Sequence, residues 1–68
     1  MKLLKMRDVM DLTSLAKSTI YKYIDTEGFP KQVKLGSGSV AWVESEVLEW
    51  IEEKIAQRDL QLAELSAA

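Results

Sequence analysis

The sequence predicts a mainly α-helical chain carrying one small β-hairpin, and three observations predict it. Two short amphipathic segments, Met6–Leu12 and a stretch from about Lys17 to Thr26, are separated only by a few residues around Thr13-Ser14. Two runs of strand-like character flank the small-residue segment Gly36-Ser37-Gly38-Ser39. A third apolar stripe at helical spacing begins near Glu44 and continues towards the end of the chain. With 68 residues, 47% of them apolar, there is material for one domain around one core. A domain of this size buries only about 60% of the surface its unfolded chain exposes, so its stability is expected to be marginal.

Each element has a local reason. Lys2-Leu3-Leu4-Lys5 reads as a short extended arm that pairs with another strand or turns its leucines inward. In Met6–Leu12, Met6, Val9 and Met10 recur at three- and four-residue spacing, with Arg7, Asp8 and Asp11 on the other face. Thr13-Ser14 interrupts that helix. In the next, Ile20 and Ile24 share a face with Leu15, while Ser18 and Lys22 point the opposite way. Gly28 then supplies a helix-ending residue and Pro30 prevents resumption.

Lys31–Leu35 alternates polar and apolar residues, and Val40–Val43 is a second short strand, so the four residues between them close a hairpin. The last helix begins at Glu44-Ser45-Glu46, where acidic residues suit the positive end of the helix dipole. Val47, Ile51 and Ile55 lie four apart, and Leu48 and Trp50 widen the stripe. Asp59–Leu65 either extends this helix or frays, and Leu62 and Leu65 hint at contact with a second copy. Residues 1–57 are therefore read as the domain and 58–68 as a helical extension or tail. Trp42, Trp50, Phe29, Ile20 and Ile24 are the expected core.

Two helices joined by a tight turn and followed by a hairpin form a compact winged helix-turn-helix. That arrangement places its second helix, about residues 17–26, in the major groove of DNA, with the wing, residues 34–41, on the backbone or minor groove. The net charge of −2 hides a split. Residues 1–43 carry seven Lys/Arg against four Asp/Glu, whereas residues 44–68 carry two against seven. A basic front and an acidic last helix suit a protein that presents one face to phosphate.

Other classes of function lack their residues. With neither Cys nor His, a disulfide framework and a Cys/His zinc site are excluded. No cofactor is expected: the Gly36-Ser37-Gly38 turn lacks the lysine and following helix of a phosphate-cradling loop. The carboxylates of the last helix form no pair in an apolar pocket, so an enzyme is not expected. Without a signal-peptide pattern, a long apolar run or a lipidation motif, the expected location is the cytoplasm, away from membranes.

In order and spacing, several segments resemble the AlpA-like phage regulators and excisionases, which share a compressed MerR-type DNA-binding domain. The resemblance rests on Leu12-Thr13-Ser14-Leu15, Ser18-Thr19-Ile20-Tyr21-Lys22, Gly28-Phe29-Pro30-Lys31, Val33-Lys34-Leu35-Gly36, Val40-Ala41-Trp42, Glu44-Ser45-Glu46-Val47 and Trp50-Ile51. It covers about residues 3–57. It implies a prophage-type protein that binds DNA near an integrase gene or attachment site, as transcriptional activator or excision factor. Three positions depart from the family pattern. Ala16 stands where a capping serine is usual, so Ser14 or the backbone must serve instead. Ser14 replaces a common turn glycine, which implies a less demanding backbone angle. Gly38 stands where the wing usually carries an arginine, which implies a weaker grip by the wing.

The candidate DNA-binding residues follow from this placement. Lys17 and Lys22 would contact phosphate or the O6 and N7 acceptors of guanine, against the ordinary fate of a solvated lysine. Ser18 and Thr19 would donate to phosphate from the helix N-terminus, with helix capping as the competing role. Tyr21 would offer its hydroxyl to a phosphate while its ring packs on the core edge. In the wing, Lys34, Ser37 and Ser39 would reach the minor groove or backbone. Arg7 would clamp the backbone beside the second helix, with pairing to Asp11 as its alternative. Double-stranded DNA is the expected partner, joined by an integrase or RNA polymerase and by a weak homodimer or cooperative assembly on DNA. The rival reading is a protein-interaction module that inhibits or bridges a regulator or integrase without binding DNA.

Overall fold

Leu3–Leu4, at the start of the chain, lies against a strand some forty residues further on, and that pairing closes the fold. A computed structural model describes residues 1–67. The elements are β1 (Leu3–Leu4), α1 (Met6–Thr13), α2 (Lys17–Thr26), β2 (Val33–Gly36), β3 (Ser39–Val43) and α3 (Glu44–Ala67). The strands form an antiparallel sheet in the order β1-β3-β2, with Leu3 opposite Val43 and Leu4 opposite Trp42. The protein is a small winged helix-turn-helix-like fold, mainly helical, with the hairpin β2–β3 as its wing.

One core holds these elements together. Leu4, Val9, Ile20, Phe29, Trp42 and Val47 are buried in a single cluster, so every helix and the strands β1 and β3 contribute to it. Trp42 is fully buried and its indole N–H donates to the Pro30 carbonyl at 3.0 Å, so the largest core side chain leaves no polar atom unpaired. Trp50 and Ile24 sit at the edge of the cluster, partly buried. The Trp50 ring stacks edge-on against Phe29 at 4.9 Å, and its N–H donates to the Glu27 carbonyl at 3.0 Å. Lys54 lies over the same ring, 5.2 Å from its centroid, and pairs with the Glu27 carboxylate at 3.3 Å. The end of α2 is thereby tied to the middle of α3.

The turn between α1 and α2 departs from expectation. Ser14 adopts φ 61°, ψ 22°, the left-handed region, as the C-cap of α1, so the angle is as demanding as the one glycine usually serves. Thr13 explains how serine is held there. Its hydroxyl donates to the Val9 carbonyl at 2.7 Å and accepts the Leu15 N–H at 3.2 Å. The Ser14 N–H reaches the Met10 carbonyl at 2.8 Å. Three hydrogen bonds thus fix the chain on either side of the strained residue.

The hairpin differs in its details too. Gly36 pairs with Ser39, so the turn proper is the two residues Ser37-Gly38 rather than four. Gly38 takes φ 72°, a left-handed angle that an arginine at this position would adopt only with strain. Between Lys34 and Gly36 the register shifts by one residue, which leaves Leu35 as a bulge. Gly28 also has a positive φ, 67°, in keeping with its helix-ending role after α2. α3 runs from Glu44 to Ala67. The molecule measures 53 × 25 × 18 Å, and the 24 residues of α3 span about 36 Å at ~1.5 Å rise per residue.

Candidate nucleic-acid interface

The start of α2 carries basic side chains beside a helix end without a side-chain cap. Ala16 occupies the N-cap in extended conformation, and its carbonyl accepts the Ile20 N–H at 3.0 Å. No side chain caps the helix. Neither Ser14, expected as a substitute cap, nor Ser18 or Thr19, whose alternative role was capping, fills that role. The backbone N–H groups of the first turn therefore have no partner within the helix, and they carry the positive end of its dipole.

Around these amides, Lys17, Ser18, Tyr21 and Lys22 are exposed, while Thr19 is half-buried. Ile20, fully buried, anchors the opposite side, so the exposed face is fixed by the helical period. Tyr21 is 40% exposed, as an amphipathic ring on the core edge would be. Tyr23 instead packs towards α3, its ring 6.1 Å from that of Trp50.

The wing forms a second group. Lys34 and Ser37 are exposed, and Ser39 is half-buried within the ladder opposite Gly36, the least accessible of the three. Arg7, exposed at the second position of α1, forms a third. Ile20 of α2 and Trp42 of β3 are buried in one core, so the helix and the inner strand of the wing pack together.

The ion pairs sharpen the electrostatics. Among the described residues they join Lys2 to Glu44, Lys54 to Glu27 and Arg58 to Asp59. Arg7, Lys17, Lys22 and Lys34 appear in none of them, and the alternative pairing of Arg7 with Asp11 is absent. Four cations on the expected docking elements are thus unneutralised, while the acidic side chains of α3 lie on another element. Lys31, also exposed, lines an open groove with Glu46, Glu49 and Glu53 on the acidic side, apart from this set. Among the described residues no helix is long and apolar enough to cross a membrane.

Sequence reasoning missed Thr13, whose two hydrogen bonds hold the turn between α1 and α2. A threonine just before a turn is a weak signal on its own. The pairing of its hydroxyl with i−4 and i+2 is visible only in three dimensions.

A helix-turn-helix with a short wing defines the class: a small winged-helix protein. The chain belongs to the family described as prophage CP4-57 regulatory protein (AlpA), which it matches over residues 2–55. It is 47% identical over 55 residues to the uncharacterized protein ORF88 of Enterobacteria phage P4, covering 81% of this chain and 62% of that protein. The chain therefore spans less than two thirds of that relative. It is also 32% identical over 59 residues to the DNA-binding transcriptional activator AlpA of Escherichia coli K12, covering 78% of this chain and 84% of that protein. No solved structure matches it significantly.

Proposed function

We propose that this protein binds double-stranded DNA sequence-specifically as a prophage-type transcriptional regulator or excision factor. In this reading α2 enters the major groove. Lys17 and Lys22 reach phosphate or guanine edges, and Ser18, Thr19 and Tyr21 reach phosphate. The wing, with Lys34, Ser37 and Ser39, lies along the backbone or minor groove, and Arg7 clamps the flanking strand. Residues 1–57 form the DNA-binding domain and 58–68 its helical extension, acting in the cytoplasm. An integrase or RNA polymerase is the proposed protein partner, with cooperative assembly of copies on neighbouring sites.

The observation that carries this reading is the uncapped start of α2 with two unneutralised lysines on its exposed face. A helix N-terminus with free amides and flanking cations is suited to phosphate. Its family relative in Escherichia coli, described as a DNA-binding transcriptional activator, points the same way. If Arg7, Lys17, Lys22 and Lys34 each neutralise one phosphate, binding weakens about 10²-fold between 50 and 200 mM salt. Such a protomer binds one site weakly, which is why assembly on adjacent sites belongs to the proposal.

An amide NMR titration of the labelled protein with a mixed-sequence duplex at low salt tests it. Shifts concentrated in residues 17–22 and 34–39, reversed by added salt, are the expected result. Shifts confined to α3, or none, overturn the reading and favour a protein-interaction module, for which the acidic face of α3 is the specific support.

A further inference from the structure

The base of the wing and the first turns of α3 flank an open groove of ≈ 470 Å³. Val33, Val43 and Trp50 give it apolar surface, and Glu46, Glu49 and Glu53 line its α3 side. Val33 is 39% exposed and Trp50 half-buried, so apolar area stays open beside three carboxylates. Those carboxylates are exposed, and none belongs to an ion pair among the described residues. No lysine or arginine stands three or four residues from any of them, the spacing at which a helix would supply a counterion. The two cations of α3 are engaged elsewhere, Lys54 with Glu27 and Arg58 with Asp59. Glu46 and Glu49, and then Glu49 and Glu53, instead oppose one another at that spacing. The helix dipole accounts for Glu46 in the first turn and fades before Glu49 and Glu53.

We propose that this groove seats a basic, partly apolar, extended segment of a partner protein. From Glu46 to Glu53 the helix rises about 10 Å at ~1.5 Å per residue. An extended chain advances ~3.3 Å per residue and turns alternate side chains to opposite faces. A segment of about five residues that alternates cationic and apolar side chains therefore covers the groove. Its cations meet the α3 carboxylates while its apolar groups lie against Val33 and Val43 on the wing side. Ion pairs on an exposed rim each add little, so the apolar contact is needed as well and the complex is a transient one.

Charge also says what the groove does not take. Three carboxylates repel phosphate, so DNA is not the occupant. Arg7, Lys17, Lys22 and Lys34 are absent from its lining, which leaves α2 and the wing free while a partner is seated. Lys31 is the single cation lining the groove and weakens its pull on a basic segment. The inference rests on the proposed function for the partner's role, a protein recruited beside the DNA. It is tested without DNA, so the failure of one reading is distinguishable from the failure of the other.

The probe is a capped pentapeptide of alternating arginine and valine, titrated into the isotope-labelled protein at low salt. Amide shifts should centre on residues 28–33 and 43–53, and the Trp50 indole N–H should move while that of the buried Trp42 stays. Glu49→Gln combined with Glu53→Gln changes exposed side chains without ion pairs, so the circular dichroism spectrum should not change. This double variant should bind the peptide about fivefold more weakly. Lys31→Ala should tighten binding about twofold, a direction that damage to the fold does not produce. A glutamate–valine peptide that binds as well, or a double variant that binds like the parent, would overturn the proposal. So would an absence of shifts at millimolar peptide. Shifts in the groove on raising the protein concentration without peptide would overturn it too, by assigning the groove to a second copy.

Discussion

Replacing Ser14 with glycine isolates the strain in the helix-turn-helix. Ser14 sits at φ 61° and is exposed, and none of the hydrogen bonds at the turn involves its side chain. Removing Cβ therefore sacrifices no observed contact. An L-residue in the left-handed region costs about 1–2 kcal/mol relative to the right-handed one. Glycine returns part of this, about 0.5–1 kcal/mol, by enlarging the freedom of the unfolded chain. The net expectation for Ser14→Gly is a gain of about 0.5–1 kcal/mol, or about 2–8 °C in Tm for a domain of this size. Ser14→Ala serves as the control, because it keeps Cβ and hence the strain. Thermal unfolding by circular dichroism, run on both variants beside the parent, gives the comparison. A glycine variant that melts at or below the parent, with the alanine variant alongside it, would refute the claim that strain is stored at this turn.

Two neighbouring positions give companion predictions. Thr13→Val removes both hydroxyl hydrogen bonds at nearly constant volume, leaving the half-buried Leu15 N–H without its partner. A loss of about 1–3 kcal/mol is expected in urea unfolding, with an unchanged denaturant slope. Ala16→Ser inserts a side-chain cap where the backbone already has the extended N-cap conformation. It should stabilise by about 1 kcal/mol in the same assay, and no change would mean that the α2 amides are already satisfied.

Much of the fold was legible because local signals agreed. The bounds of α2 follow from Ile20 and Ile24 on one face, Gly28 with its positive φ beyond the end, and Pro30 after it. Leu4, read as an arm residue that turns inward or pairs, does both: it is buried and lies opposite Trp42. Ser14 was misread because serine ordinarily signals a relaxed angle. Its left-handed conformation is held by the Thr13 hydrogen bonds on either side of it. The Leu35 bulge escaped because alternation over Lys31–Leu35 continues across it, and only the partner strand reveals the extra residue. Trp50 moved from core to rim because its N–H needed the Glu27 carbonyl, 23 residues away, a requirement that hydrophobic spacing does not express. Of the candidate site, the exposed positions on α2 were readable from period alone. The uncapped helix start and the unneutralised state of Arg7, Lys17, Lys22 and Lys34 required the positions of all the acidic residues.

The pairing of Leu3 with Val43 also dictates the order in which this molecule can be made. During synthesis, α1 and α2 emerge before β3 and α3, so Val9 and Ile20 find Trp42 and Val47 only once those later residues have been released. Neither helix is long enough to persist alone, and the strand at the beginning has nothing to pair with until β3 arrives. Folding therefore waits on one late loop closure, whose entropic cost grows only slowly with loop length. The helix-turn-helix is consequently not a detachable cassette. Cut out as residues 6–26, it would lack its sheet and its last helix, and grafting its surface elsewhere means transplanting both ends of the chain with it.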